Sequence, residues 1–410
     1  MIKNWFKNIG PGPLVAAAFI GPGTVTVCTL AGVHFGYALL WAMVLSIAAT
    51  VVLQEMSARL GLVSQKGLSE IIRSEIKHPV LKILAVGLIL LAIVVGNAAY
   101  EAGNITGGVL GLETIMGNPT VVVAGFTVKG LNLLIGFIAF VLLYLGSYKV
   151  IERALVALVL LMSFAFLVTT IITKPSLTDI FKSIVLSKMP KGSILTIMAL
   201  IGTTVVPYNL FLHASLVKEK WHHISDLKLV KRDTRVAIVF GGIVSMCVVI
   251  SAASINTQHV ANVADLALGL EPLFGSFAKY FLAIGLFSAG ITSAITAPLA
   301  AAFVATGCLG WSTSMADKKF KAVWMVILIL GIVFSSLGVK PIEVIKFAQI
   351  ANGILLPLIA GFLIWVVNKS SVLGIYKNNV VQNIAAFLIL LISILLSLVT
   401  LNNVLNLKLI

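Results

Sequence analysis

A chain of 410 residues that is 60% hydrophobic and only 10% charged falls far below the roughly 25% charged content of soluble domains, which excludes a water-soluble globular protein. Its formal net charge of +15 does not call for a nucleic-acid partner, because the basic residues gather in short gaps between apolar stretches, as in "VKEKWHHISDLKLVKRDTR" at 217–235. Cys28, Cys247 and Cys308 lie in or at the ends of apolar segments with no CxxC or Cys/His spacing, so neither a disulfide framework nor a zinc site is expected.

The N-terminal stretch "MIKNWFKNIGPGPLVAAAFI" has a short basic start and no A-x-A cleavage pattern, so it is read as a retained first helix. A template of about 20 mostly apolar residues places spans at approximately 12–35, 38–60, 80–110, 129–147 and 151–173. Further spans follow at 193–217, 234–256, 278–308, 320–338, 343–366 and 380–402. No polar block is long enough for a separate soluble domain, so residues 1–410 form one all-α polytopic unit. "KGLSEIIRSEIK" at 66–77 is too charged to span and is expected to be an interfacial helix. Arg59, Lys66, Arg73, Lys218, Lys231, Arg232, Arg235 and the Lys318/Lys319/Lys321 group all fall on one side of these spans. The positive-inside rule makes that side cytoplasmic, with the N-terminus inside and the C-terminus outside a multi-pass cell-membrane protein.

Spans one and six each carry a helix breaker at mid-depth. In the first it is Gly21-Pro22-Gly23 within "FIGPGTVT"; in the sixth it is Pro207 within "LIGTTVVPYNLFLH". Each opens one of two five-helix halves, at corresponding positions if the halves, approximately 12–173 and 193–366, form an inverted repeat. Hydrocarbon tolerates non-helical backbone only where it lines a cavity, so the two breaks are expected to free carbonyls and amides to meet a solute.

The sequence resembles the NRAMP family of metal-ion transporters over nearly its whole length. "FGYALLWAMVLSIAATVVLQEMSARLGLVSQKGLSEIIR" is similar to the family's helix 2 and following loop, and "GTTVVPYNLFLHAS" to the sixth-helix motif G-A-T-V-M-P-H-N-L-Y-L-H-S. "LAIGLFSAGITSAITAPLAAAF" resembles helix 8 and "QIANGILLP" resembles helix 10. The resemblance implies a leucine-transporter-like fold, two inverted five-helix repeats plus the extra helix at about 380–402, with alternating access and, in most members, proton-coupled uptake of manganese or iron.

The departures from the family pattern bear on the cargo. Where the family's first-helix metal motif is Asp-Pro-Gly-Asn, this chain has Gly21-Pro22-Gly23-Thr24, so both metal-binding side chains are missing. Val206 replaces the sixth-helix methionine, Thr203 its neighbouring alanine and Tyr208 the following histidine, while His213 and Gln349 match their family counterparts. The helix 3 acidic pair, which the resemblance implies carries protons, aligns with Asn97 and Tyr100, and Glu101 stands one place displaced.

A dehydrating divalent cation wants anionic or strongly donating ligands, and thioether softness adds preference for transition metals. Gly21 and Val206 supply neither. The half-helices after the breaks instead present free amides and a positive dipole end, which favour an anion. The reading from the residues is therefore a secondary transporter for a small carboxylate-bearing solute, an amino acid, cyclic derivative or organic acid, held at Gly21, Pro22, Gly23, Thr24, Thr203, Thr204, Val206, Tyr208, Asn209 and Gln349. The alternative is a divalent cation, magnesium before manganese or iron, with Thr24 and Thr203 as ligands; a channel is a more remote third.

Ionisable groups inside a membrane are functional by default. Glu101, with Asn97 beside it and His213 after the second break, forms the expected proton pathway, H+ being the coupling ion. Glu55 and Arg59, at i, i+4 spacing, are expected to form a local ion pair. No HExxH, GxSxG or paired-carboxylate motif points to an enzyme, and no cofactor is implied. The expected partners are the bilayer and the cargo, and a monomer suffices.

Overall fold

The computed structural model describes residues 20–117, 119–123, 126–146, 149–255, 260 and 262–405, and nearly all of them are helical. The first half runs α1 (Pro22–Phe35), α2 (Leu40–Ser64), α3 (Leu68–Glu75), α4 (Pro79–Met116), a hairpin of β1 (Thr120–Val123) and β2 (Phe126–Lys129), α5 (Gly130–Leu145) and α6 (Lys149–Ile172). After α7 (Leu177–Val185) the second half runs α8 (Ile194–Thr204), α9 (Pro207–Lys220), α10 (Leu227–Ala252), α11 (Ala278–Leu309), α12 (Lys318–Ser335), α13 (Pro341–Val367) and α14 (Val380–Leu405). Each expected span has its helix, although 12–19, the opening of the first, lies outside the described residues. Helices are what hydrocarbon demands, since every backbone N–H and C=O must find its partner within the segment.

Local sequence sets many of the boundaries. α1, α4, α9 and α13 each begin on a proline, whose missing N–H falls where no helical acceptor exists. Left-handed Gly146 and Gly310 end α5 and α11. Among the described residues the one departure from an all-α chain is the hairpin, paired antiparallel with Thr120 opposite Lys129 and Val123 opposite Phe126. Its valine- and threonine-rich runs favour strands and are too short to span. The stretch 66–77 does form a short helix, α3, which buries Leu68, Ile71 and Ile72.

The centre of the molecule is the crossing of α4 and α11. A Cβ on Gly290 would overlap the backbone of Gly108, and one on Gly111 would overlap the Ala283 carbonyl, so only glycine permits this approach. α14 packs on α13 and turns Ile384, Phe387, Leu388, Leu391 and Leu395 outward, an exposed apolar face suited to lipid.

Ion pairs stitch one end of the bundle. Lys218 of α9 lies 2.7 Å from Glu70 of α3, and Lys369 lies 3.2 Å from Glu75. The Glu55–Arg59 pair is present at 3.4 Å, but it is not local only. Lys231 of α10 sits 3.1 Å from Glu55, and Arg59 donates to the Tyr376 carbonyl and Asn378 Oδ1, each at 2.6 Å.

Candidate functional site

The two breaks meet inside the protein. Gly21, in extended conformation (φ −99°, ψ −175°), caps α1, and the first helical bond runs from the Val25 N–H to the Gly21 carbonyl at 3.2 Å. The Gly23 and Thr24 amides therefore precede the helical ladder. On the other strand of the site, α8 ends at Thr204, and Val205 and Val206 carry the chain in non-helical conformation to α9. Proline drives the residue before it out of the α region, so the bend falls just ahead of Pro207. Having no N–H, Pro207 also deprives the Thr203 carbonyl, four residues back, of its helical donor. Thr24 Oγ1 and Thr203 Oγ1 lie 2.7 Å apart, both buried. The amide end of α1 and the carbonyl end of α8 thus face one another.

Three helices, α4, α11 and α13, close around this junction. Pro22 packs against Gly107 of α4, where a Cβ would overlap the proline ring. A Cβ on Gly23 would overlap the Gln349 carboxamide nitrogen of α13, and one on Gly202 would overlap the Gln349 carbonyl oxygen. Gly21 faces α11, where Ser293 Oγ lies 2.9 Å from the place its Cβ would take. Around the junction a set of buried polar atoms has no hydrogen-bond partner among the described residues: Asn209 Oδ1 and Nδ2, Ser293 Oγ and Gln349 Oε1. Native proteins rarely bury polar atoms in this state, and each such atom asks for a missing partner.

Gly21, Pro22, Gly23, Thr24, Thr203 and Gln349 belong to this arrangement, and Asn209 stands in the first turn of α9 just past the second break. Others expected with them face elsewhere. Thr204 Oγ1 donates to the Leu200 carbonyl of its own helix at 2.8 Å. Val206 has no polar side chain, and its carbonyl accepts from the Asn209 N–H at 3.1 Å. Tyr208 turns its ring edge-on to Tyr100 of α4, with centroids 5.3 Å apart and planes at 64°.

The expected proton-pathway residues are separated by the structure. At 100° per residue, Glu101 lies about 120° around α4 from Gly107, away from Pro22. It packs instead on Gly331 of α12, where a Cβ would overlap it. Its Oε2 accepts from Asn104 Nδ2 at 3.4 Å, and Oε1 has no partner among the described residues. Asn97 donates to the Ala297 carbonyl of α11 at 2.9 Å. His213 is held on another side, with Nδ1 at 2.7 Å from Gln54 Oε1 of α2 and Nε2 at 3.5 Å from Thr234 Oγ1 of α10. Sequence reasoning missed Ser293, because a lone serine among small apolar residues carries no motif. Its only signal is the small-residue run "SAGITSA" through which α11 meets α1 and α4.

The oxygen-rich, carboxylate-free composition limits what the site can hold tightly. Among the described residues no group of three or more His, Cys, Asp or Glu side chains could hold a metal ion. Neutral oxygens and backbone dipoles are the available ligands, with α8 directing its carbonyl end and α1 and α9 their amide ends toward the centre.

Residues 12–403 match the family model described as natural resistance-associated macrophage protein-like. The chain is 27% identical over 384 residues to the divalent metal cation transporter MntH of Verminephrobacter eiseniae, covering 90% of this chain and 83% of that protein. To the protein of the same name from Staphylococcus saprophyticus it is 26% identical over 419 residues, covering 96% and 91%. Among solved structures it is similar to the Eremococcus coleocola manganese transporter in complex with an aromatic bis-isothiourea compound, with a TM-score of 0.77, 20% identity and coverage of 98% and 87%. It is also similar to Mhp1, a nucleobase-cation-symport-1 family transporter, in a closed conformation with bromovinylhydantoin bound, at a TM-score of 0.57, 15% identity and coverage of 96% and 93%. These likenesses place the chain in the leucine-transporter fold.

Proposed function

This chain belongs to the natural resistance-associated macrophage protein family of membrane transporters, and on that premise we propose that it carries a hard divalent cation of the magnesium class across the plasma membrane by alternating access. The relatives named above are divalent metal cation transporters, which favours a metal over the organic cargo expected from the sequence. The observation that carries the cation class is the donor set: unpartnered Asn209 Oδ1, Ser293 Oγ and Gln349 Oε1 beside the carbonyl end of α8. All are neutral oxygens. A hard cation that keeps several of its waters suits such a set, and without a thioether the set gives softer transition metals no preference.

A second reading has its own support. The Gly23 and Thr24 amides head α1 with no acidic side chain in its first turn, an arrangement that also receives a substrate carboxylate. The test is a melting-temperature titration of purified protein with magnesium chloride, manganese chloride, L-alanine and succinate, followed by proteoliposome uptake of whichever stabilises. Ligand binding raises the melting temperature as RT ln(1 + [L]/Kd). Magnesium at millimolar concentration is expected to stabilise, and manganese no better. Stabilisation by L-alanine or succinate with none by either cation would replace this reading with the carboxylate one.

Coupling to protons is assigned to Glu101, a membrane-buried carboxylate off the cargo site. The ionisable groups near it are the phenols of Tyr100 and Tyr208. Glu101→Gln keeps the side chain's size beside Gly331 and removes the exchangeable charge. Uptake by this variant is expected to proceed without dependence on an imposed pH gradient, at unchanged expression and melting temperature. Gradient dependence equal to that of the parent protein would remove Glu101 from coupling.

A further inference from the structure

Resting on the cation reading above, we propose that Ser293 Oγ is a cargo-contacting oxygen that has taken over the space a side chain at position 21 would fill. The contrast within its own helix carries this. A serine or threonine in a membrane helix ordinarily satisfies its hydroxyl on the carbonyl four residues back. In α11 Ser288 does so to Ile284 at 2.9 Å, Thr292 to Ser288 at 2.8 Å, Thr296 to Thr292 at 2.7 Å and Thr306 to Ala302 at 2.7 Å. Ser293 does not. Fully buried, it keeps Oγ without a partner among the described residues, at the edge of the α1 break.

Its position explains why it is useful. The hydroxyl lies 2.9 Å from the point where a Cβ on Gly21 would stand, closer than a Cβ sits to a neighbouring atom. Glycine at 21 and an outward-turned hydroxyl at 293 are therefore one steric solution. The oxygen ligand comes from α11 rather than from α1. A neutral hydroxyl in that place holds a hydrated hard cation weakly and gives soft cations no advantage, so Ser293 also sets selectivity.

Two measurements test this separately. In the first, proteoliposome uptake of magnesium is compared for the parent, Ser293→Ala and Ser293→Cys. Loss of one neutral ligand is expected to raise KM about tenfold in both variants. The cysteine variant, alike in shape but softer, is expected to lower KM for cadmium. Parent-like KM values for both ions would overturn the role. In the second, melting temperatures are measured for Gly21→Ala, Ser293→Ala and the double variant, with no cargo added. The single Gly21→Ala change is expected to lower the melting temperature and Ser293→Ala to restore it. Additive shifts would overturn the steric pairing. Absence of cation uptake by the parent would end the cation reading, and the melting cycle would still decide the Ser293–Gly21 pairing.

Discussion

Replacing Gly202 with alanine is expected to abolish transport and to destabilise the protein by about 3 kcal/mol, the upper end of overpacking in a filled core. The added methyl would overlap the Gln349 carbonyl oxygen and press on the Gly353 amide, both main-chain atoms of α13. Neither can rotate away. α8 must then separate from α13, and the Thr24–Thr203 contact at the junction opens with it. Gly23→Ala makes a useful comparison. Its methyl meets the Gln349 carboxamide, a side-chain group that can turn aside. That variant is expected to fold close to normally and still lose roughly tenfold in uptake, because one reoriented ligand costs about the worth of one polar contact. Size-exclusion profiles and melting curves beside uptake rates separate the two outcomes. Parent-like melting and uptake for Gly202→Ala would mean that α8 and α13 are not packed as described.

How much of this was legible in the sequence depends on the length scale of each signal. The spans were, because about 20 apolar residues in succession have no other stable form in hydrocarbon. The breaks at Gly21-Pro22-Gly23 and Pro207 were also legible, since proline and glycine act on their immediate neighbours. The contact between them, Thr24 to Thr203 across 179 residues, was visible only as a consequence of the repeat. The β1–β2 hairpin was overlooked because its valine-rich strands run into the apolar start of α5. Glu101 was found as an ionisable group, yet its direction was not. One residue of displacement along a helix is a 100° turn, which puts Tyr100 against Tyr208 and Glu101 against α12. Thr204 was placed in the site by adjacency to Thr203, and the same rotation turns it onto its own helix. Ser293 has no sequence signal strong enough to single it out, because what marks it is the absence of a bond its neighbours make.

Restoring a carboxylate should convert the site. Gly21→Asp alone is expected to gain little, since its Cβ would press against Ser293 Oγ at 2.9 Å. Combined with Ser293→Ala, which empties that space, the aspartate can reach the junction and is expected to tighten manganese binding about a hundredfold, or about 2.7 kcal/mol. The magnitude follows from electrostatics. A unit-charge pair at 4 Å in an effective dielectric of about 20 interacts by about 4 kcal/mol. The divalent ion doubles that, and desolvating the carboxylate removes a large part of it. Calorimetric titration of manganese into the parent, the two single variants and the double variant reads the gain directly. The same proteins discriminate between the two cargo classes, because a new aspartate repels a substrate carboxylate from the α1 amides while it attracts a cation. Tighter manganese in the double variant supports an oxygen site that lacks only its charge. A double variant no better than the parent for manganese would instead mean that cations do not dwell between Gly21 and Ser293.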